Sequence, residues 1–371
     1  VEKYGRKWSD AGTFVSNSSY TLTEWQKGRH ATLTLNPFYT GPHKGYLEKI
    51  IQVFITGEGG TAPYENNEID YQRVHVSDLP HLEKDPKMNS QIVRYAFPVT
   101  DYLFFQTTRP PFRDLKVRKA ISHAIDREAI CRSALDGFAI PAYSMLPPGF
   151  PAAAPETLAP VQNYDPQLGR KLLTEAGYPN GKGFPRVEMW VRRDVRPVHA
   201  AGEAIQAMIK QNLGIELVVR NMEIKIFMDA INSHNLQMGL VRFGADFIDP
   251  SSLMNLWLSS GRHAWKVDPF DELVVRAGGI VGDYEKRMAT YKNAERILVE
   301  DIGGLFVWHT TMNQLWKEEL KGDALEPNEL GFQAWRGEQI GNTAFTIYVA
   351  KDGSTPATPP RFWDRWFGSE K

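Results

Sequence analysis

Residues 188–242 alternate strand, helix, strand, helix and strand patterns, and this alternation constrains the fold more than any other feature of the sequence. The segments VEMWVR, IELVVR and QMGLVR are apolar and strand-like. The segments between them, at about 199–212 and about 224–232, favour helices. Strands that alternate with helices in this way are typical of α/β proteins. The sequence therefore predicts an α/β fold.

The flanking regions add further strands and helices. Residues 14–56 are rich in β-forming residues separated by turn signals, which favours several strands. Asp114 is predicted to cap one helix that runs from about Leu115 to about Leu135. Asp165 is predicted to cap a second helix, which ends before Gly177 because glycine favours helix termination.

Composition and charge argue against several classes of protein. The 371 residues include 43 basic and 44 acidic side chains, and a net charge of −1 disfavours a general nucleic-acid binder. The single cysteine, Cys131, allows neither an intrachain disulfide nor a cysteine-based zinc site. No apolar run reaches the roughly 20 residues that cross a bilayer. No metal-binding or nucleotide-binding motif is present either. We therefore expect no metal, no cofactor and no nucleic-acid partner.

The segment RFGADFIDPSS places two carboxylates, Asp246 and Asp249, three residues apart. They could be a catalytic pair, metal ligands, a helix start or the anchor of a ligand. Asp249 precedes Pro250 and an apolar helical segment, which predicts a helix N-cap. Asp246 follows a strand, and residues just beyond the carboxyl ends of strands line the ligand crevice of α/β sheets. The other interpretation of Asp246 is a turn residue bonded to its own backbone.

Five stretches resemble, in order, segments of the extracellular solute-binding proteins of family 5, the peptide and nickel family. They are SNSSYTLTEWQKGRHATLTLNPFY, NNEIDY, LFFQTTRPPFRDLKVRKAISHAIDREAI, LLTEAGYPNGKGFP and FGADFIDPSS. Some residues depart from the family pattern. Gln106 stands where Asn is usual, Ser18 and Ser19 replace Gly-Pro, and Phe243 replaces the usual Trp.

The resemblance implies a type II periplasmic-binding-protein-like fold, with two α/β lobes joined by a hinge and one lobe incomplete. Residues 1–95 would form the second, β-rich segment of lobe I. Residues 96–304 would form lobe III, the α/β ligand-binding lobe, and residues 305–371 the return to lobe I and the C-terminal tail. Family members extend further at the N-terminus, so the chain is expected to be truncated there relative to the family.

The resemblance also implies a ligand site beside Asp246. In peptide-binding members, a carboxylate at this position pairs with the α-ammonium group of the ligand, which is a charge-assisted hydrogen bond. Backbone groups near Arg242 and Gly244 would bond to an extended peptide. Arg196 or Arg193 would bind the ligand's carboxylate. The predicted ligand-binding residues are Asp246, Phe243, Gly244, Arg242, Phe247, Arg196, Arg193 and Trp265. Of these, Phe247 and Trp265 are expected to be surface aromatics that line a crevice.

The function that the resemblance implies is the substrate-binding component of an ABC importer. The protein would be a monomer without enzymatic activity that binds a di- or oligopeptide between its lobes and delivers it to membrane permease subunits. It would be periplasmic or extracellular, and a lipid anchor stays open. The alternative ligand is an oligosaccharide, an opine or a nickel complex. A remote alternative is a secreted hydrolase that uses Asp246 and Asp249, and another is an interaction module without a small ligand.

Overall fold

The computed structural model describes most of the chain. The described ranges are residues 2–41, 44–54, 60–74, 76–135, 139–192, 196–322, 324–325 and 346–350. The side chains of Val76, Tyr95, Arg196 and Pro197 also lie outside the description. The chain divides into two compact units, one formed by Val1–Tyr95 with Met312–Lys371 and the other by Ala96–Thr311.

The first unit contains a three-stranded antiparallel sheet with strand order β1-β2-β3. Strands are numbered in chain order. The strands of the first unit are β1 (Tyr20–Gln26), β2 (His30–Leu35), β3 (Lys49–Val53), β4 (Tyr71–Arg73), β11 (Leu320–Lys321) and β12 (Tyr348–Val349). Its helices are α1 (Ala62–Glu65), α2 (Leu79–Leu82) and α3 (Pro86–Gln91). Apolar side chains form two small cores, one around Tyr20 and one around Tyr64.

The second unit is built on a mixed sheet with strand order β10-β5-β9-β7-β8, and β6 pairs with β10. Its strands are β5 (Ile92–Phe105), β6 (Ala139–Pro141), β7 (Val187–Arg192), β8 (Leu217–Met222), β9 (Met238–Gly244) and β10 (Gly304–Trp316). The chain passes between the two units within β5 and within β10. The end of β10 pairs antiparallel with β4 in the first unit.

Nine α-helices of the described residues belong to the second unit. They are α4 (Leu115–His123), α5 (Arg127–Ser133), α6 (Pro155–Gln162), α7 (Pro166–Glu175), α8 (Arg196–Leu213), α9 (Ile224–Asn232), α10 (Pro250–Met254), α11 (Asp268–Gly278) and α12 (Tyr284–Glu300). Strands β7, β8 and β9 alternate with α8 and α9, as the sequence predicts, and β7 pairs parallel with both β8 and β9. None of these described helices combines the length and apolar composition that crossing a bilayer requires.

The single helix expected from Leu115 to Leu135 is instead two helices, α4 and α5. The expectation was wrong because Asp126 lies between them and caps α5, with its side chain accepting a hydrogen bond from the Ala129 N–H. Aspartate is more favourable at a helix N-cap, where it accepts hydrogen bonds from free backbone N–H groups, than in a helix interior. The two other predicted caps, Asp114 and Asp165, do begin α4 and α7.

The first residue of α5, Arg127, is buried and holds several elements of the second unit together. Its Nε donates a hydrogen bond of 2.6 Å to the Phe306 carbonyl of β10. Its terminal nitrogens donate to the carbonyl and side-chain oxygens of Gln162, at the end of α6, and to Ser122 in α4. Burial lowers the pKa of Arg127 to about 10, so the guanidinium stays charged at neutral pH. One cation therefore satisfies carbonyl groups from three segments.

Glu295 on α12 is also buried, and it bonds the loop before α6. Its Oε1 accepts a 2.8 Å hydrogen bond from the Leu146 N–H, whereas its Oε2 has no hydrogen-bond partner among the described residues. Burial raises the pKa of Glu295 to about 8, although the hydrogen bonds from backbone N–H groups oppose that rise. The side chain is therefore protonated in the folded protein at neutral pH, and its ionisation would oppose folding.

The Glu295→Gln variant should remove a loss of stability that the natural protein shows as pH rises. Because the folded pKa lies above the unfolded one, the contribution of Glu295 is complete below about pH 4.5 and is lost as pH rises toward 8. Between pH 5 and pH 8, the free energy of unfolding of the variant should rise by about 3 kcal/mol relative to that of the natural protein. Urea titrations followed by tryptophan fluorescence measure this. The exposed Glu300→Gln control should show no such pH-dependent difference.

Candidate functional site

Among the described residues, the carboxyl end of β9 has a strand partner on one side only. Along one edge, β5 pairs antiparallel with the whole of β9, from Val99↔Gly244 to Phe105↔Met238. Along the other edge, β7 pairs with β9 only at Met189↔Met238 and Trp190↔Gly239. Beyond Gly239, no described strand pairs with that edge. Its backbone N–H and C=O groups are therefore suited to bond an added extended segment.

Asp249 is a structural residue, as the sequence predicts. Its side chain accepts a 3.0 Å hydrogen bond from the Ser251 N–H and caps α10. The Arg287 guanidinium on α12 binds both of its oxygens, one of them at 2.8 Å. Burial opposes the charge of Asp249, but the hydrogen bonds from Arg287 and Ser251 outweigh it and hold the pKa below its usual value. The carboxylate is thus an ionised link between the β9–α10 loop and α12.

Asp246 lies two residues beyond the end of β9, and its side chain is exposed. Its backbone N–H donates a 2.9 Å hydrogen bond to Ser252 Oγ, which fixes the chain at this point. Its carboxylate makes no hydrogen bond or ion pair with any described residue, so the predicted turn contact to its own backbone is not observed. The two carboxylates of the segment therefore differ, since Asp249 is bonded to Ser251 and Arg287 and Asp246 has no such contact with a described residue.

The Arg242 side chain is held by a carboxylate from the neighbouring strand. Asp101 of β5 lies opposite Arg242 of β9 in the sheet register. The Arg242 Nε is 3.1 Å from each Asp101 oxygen, and the Asp101 side chain is buried while that of Arg242 is 39% exposed. Burial raises the pKa of Asp101 to about 6, although the guanidinium opposes that rise. The pair fixes the direction of an exposed cation just before the free end of β9.

Two aromatic side chains and a glycine complete the end of β9. Phe243 is half-buried, and the guanidinium carbon of Arg262 lies 5.6 Å from the centre of its ring. Phe247 is 54% exposed. Gly244 packs so closely that an added Cβ would lie 3.0 Å from Val99. The end of β9 and the loop after it thus bring five of the predicted ligand-binding residues into one short segment. They are Arg242, Phe243, Gly244, Asp246 and Phe247.

The expectation that Trp265 is a surface aromatic was wrong. Its side chain is only 1% exposed and packs against the rings of Phe270 and Trp257, at centroid distances of 4.9 and 6.4 Å. Its Nε1 donates a 2.7 Å hydrogen bond to Asp301. A tryptophan whose N–H has a partner gains more from burying its large apolar area than from exposure. Trp265 is therefore a core residue.

The predicted arginine partner for a ligand carboxylate cannot be placed. Arg193 lies outside the described residues, and Arg196 is described only as the first backbone position of α8. Two other residues of this region escaped the sequence analysis, Asp101 and Arg262. Asp101 had a usable signal, because it is a charged residue inside the apolar strand segment VTDYLFF. Within the described ranges, no three His, Cys, Asp or Glu side chains form a cluster that could hold a metal ion.

Comparison with known proteins identifies the family. A family model described as "Bacterial extracellular solute-binding proteins, family 5 Middle" matches residues 1–265. The chain belongs to this family. It is 27% identical over 331 residues to the periplasmic oligopeptide-binding protein OppA of Salmonella typhimurium. It is 26% identical over 338 residues to YgiS of Escherichia coli, named as a probable deoxycholate-binding periplasmic protein. Each alignment covers 87% of this chain and 60% of the relative.

A solved structure shows the same fold. The murein tripeptide binding protein MppA of Escherichia coli superposes with a TM-score of 0.68 at 25% identity, covering 95% of this chain and 67% of MppA. The fold is therefore the predicted α/β fold of type II periplasmic-binding proteins. The chain spans about 60% of the length of the curated relatives that it matches. These relatives are binding proteins rather than enzymes, and they include periplasmic oligopeptide-binding proteins.

Alanine substitutions should separate the two carboxylates by their effect on stability. Asp249→Ala removes a helix cap and leaves Arg287 without its partner, so the free energy of unfolding should fall by about 1–2 kcal/mol. Asp246→Ala removes no contact with a described residue and should change it by less than about 0.5 kcal/mol. Urea unfolding of both variants measures the difference. An equal loss in the two variants would contradict the structural distinction drawn here.

Proposed function

We propose that the protein is the substrate-binding component of an ABC importer and that it binds a peptide at the carboxyl end of β9. The observation that carries the proposal is the exposed Asp246 carboxylate, which has no partner among the described residues. It follows a strand edge that no described strand pairs beyond Gly239. A carboxylate forms a charge-assisted hydrogen bond with an ammonium group. An open strand edge bonds the backbone of an extended chain regardless of its side chains.

The relatives support this proposal at the level of ligand class. The matched proteins include oligopeptide-binding and murein tripeptide binding proteins. On this basis the protein acts without catalysis, as a monomer in the periplasm or outside the cell, and delivers its ligand to membrane permease subunits. A signal segment and a lipid anchor would be consistent with that location.

Within the same family, a non-peptide ligand is the competing function. The name of YgiS, a relative with 26% identity, refers to deoxycholate, which has no α-ammonium group. An oligosaccharide or opine would also differ from a peptide in the charge that it offers to Asp246. Isothermal titration calorimetry of the intact natural protein with di- and tripeptides, cello- and manno-oligosaccharides and deoxycholate distinguishes these ligands. Heat of binding from the non-peptide ligands alone would contradict the peptide proposal.

The anchoring role of Asp246 can be tested by removing either of the two charges, the carboxylate on the protein or the ammonium group on the ligand. Asp246→Ala should weaken binding of a tripeptide about 10- to 100-fold, because the ligand ammonium group loses its counter-charge. Acetylating the N-terminus of the tripeptide should weaken binding to the natural protein by a similar factor. Calorimetry measures each dissociation constant.

Combining the two changes should weaken binding little beyond either change alone, because both remove the same interaction. The control variant is Glu272→Ala, which alters an exposed carboxylate on α11 and should leave the affinity unchanged. Fully additive losses from Asp246→Ala and acetylation would show that the ammonium group binds elsewhere.

A further inference from the structure

The Arg242 guanidinium uses only one of its three nitrogens in hydrogen bonds with described residues. Both hydrogen bonds to Asp101 come from Nε, at 3.1 Å from each carboxylate oxygen. The terminal nitrogens make no hydrogen bond with any described residue, and the side chain is 39% exposed. Two guanidinium nitrogens can bind a carboxylate in a bidentate way. This pair of donors on Arg242 is therefore unused by the described residues.

Asp101 makes this arrangement more than a surface ion pair. A carboxylate that is completely buried in a sheet loses its hydration, and the Arg242 guanidinium, together with the side chains of Thr310 and Trp308, only partly offsets that loss. An exposed arginine with no role beyond hydration of the surface would not require a buried carboxylate as its partner. The effect of Asp101 is to restrict the rotamers of Arg242, so that its terminal nitrogens are oriented before any ligand arrives.

We propose that the terminal nitrogens of Arg242 form a carboxylate subsite that selects ligands with an acidic side chain. This inference rests on the proposed function, because it adds a second charged contact to the one made by Asp246. The two subsites carry opposite charges, Arg242 for an anion and Asp246 for a cation. The ligand class is therefore a peptide with a free N-terminus and an acidic residue near it, rather than a neutral or basic peptide.

The spacing of the two residues indicates where the acidic side chain lies in the ligand. Arg242 precedes Asp246 by four residues. At about 3.3 Å per residue, an extended backbone covers at most about 13 Å over this interval. A peptide that runs along β9 with its N-terminus at Asp246 has a similar rise. Because Ala245 and Asp246 lie beyond the extended residues of β9, the actual separation is shorter than this limit, and the second, third or fourth residue of the peptide then lies beside Arg242.

Calorimetry on the intact natural protein with alanine tetrapeptides tests this subsite. The series carries Glu or Gln at position two, three or four, all with free N-termini. The natural protein should bind the Glu form about tenfold more tightly than the Gln form at one of these positions. Arg242→Gln should abolish that preference, so that the Glu and Gln forms bind the variant with equal affinity.

Two further variants keep the test decisive. If Arg242→Gln alone fails to fold, the double variant Asp101→Asn with Arg242→Gln replaces the whole pair with neutral groups and should also lack the preference. Arg296→Gln changes an exposed arginine on α12 that pairs with Glu300, and it should retain the preference. Equal affinity of the natural protein for Glu and Gln peptides at all three positions overturns the inference. So does a Glu preference that survives in Arg242→Gln.

The outcomes also separate this inference from the proposed function. If the Gln peptides bind the natural protein and lose affinity with Asp246→Ala, the peptide-binding function stands whatever the result for Arg242. If no tetrapeptide binds, the proposed function fails, and the acidic subsite that rests on it fails too.

Discussion

The buried guanidinium of Arg127 is the interaction on which the second unit depends most. It donates to backbone carbonyl groups of β10, of α6 and of α4, namely those of Phe306, Gln162 and Ser122. Buried carbonyls without partners would each cost free energy, and a charged donor compensates several at once. Because α5 starts at this residue, Arg127 ties the start of α5, which Asp126 caps, to the end of α6. The helical layer is thereby fixed around the strand that returns to the first unit.

The candidate site depends on a second constraint, the complete pairing of β9 with β5. That pairing sets Asp101 opposite Arg242 and brings Gly244 close to Val99, which leaves no freedom in the register of the strand end. The ion pair of Asp249 with Arg287 then holds the loop that follows. Asp246 lies between these two fixed points. The Asp246 carboxylate, which has no partner among the described residues, is thus positioned by neighbours that are held by their own contacts, and the proposed anchoring role requires such preorganisation.

Local chemistry made part of this structure predictable from sequence. The α/β alternation and the caps Asp114, Asp165 and Asp249 follow from patterns within a few residues. The position of Asp246 beyond a strand was predictable for the same reason. The burial of Trp265 was not, because it depends on Asp301, Phe270 and Trp257, whose proximity only the folded chain creates. The same holds for Asp101 and Arg242, which are 141 positions apart in sequence. Their pairing requires the register of two distant strands.

The edge of β9 beyond Gly239, which no described strand pairs, also bears on self-association. Open strand edges are templates for pairing with another copy of the same protein, and natural sheets limit this hazard with short edges and charged side chains. On β9 the accessible stretch is only Arg242 to Gly244, because Leu240 and Val241 are buried. It carries one exposed cation and is followed by the exposed carboxylate of Asp246. An edge this short and this hydrated supports few bonds between copies, so it can remain open without promoting aggregation.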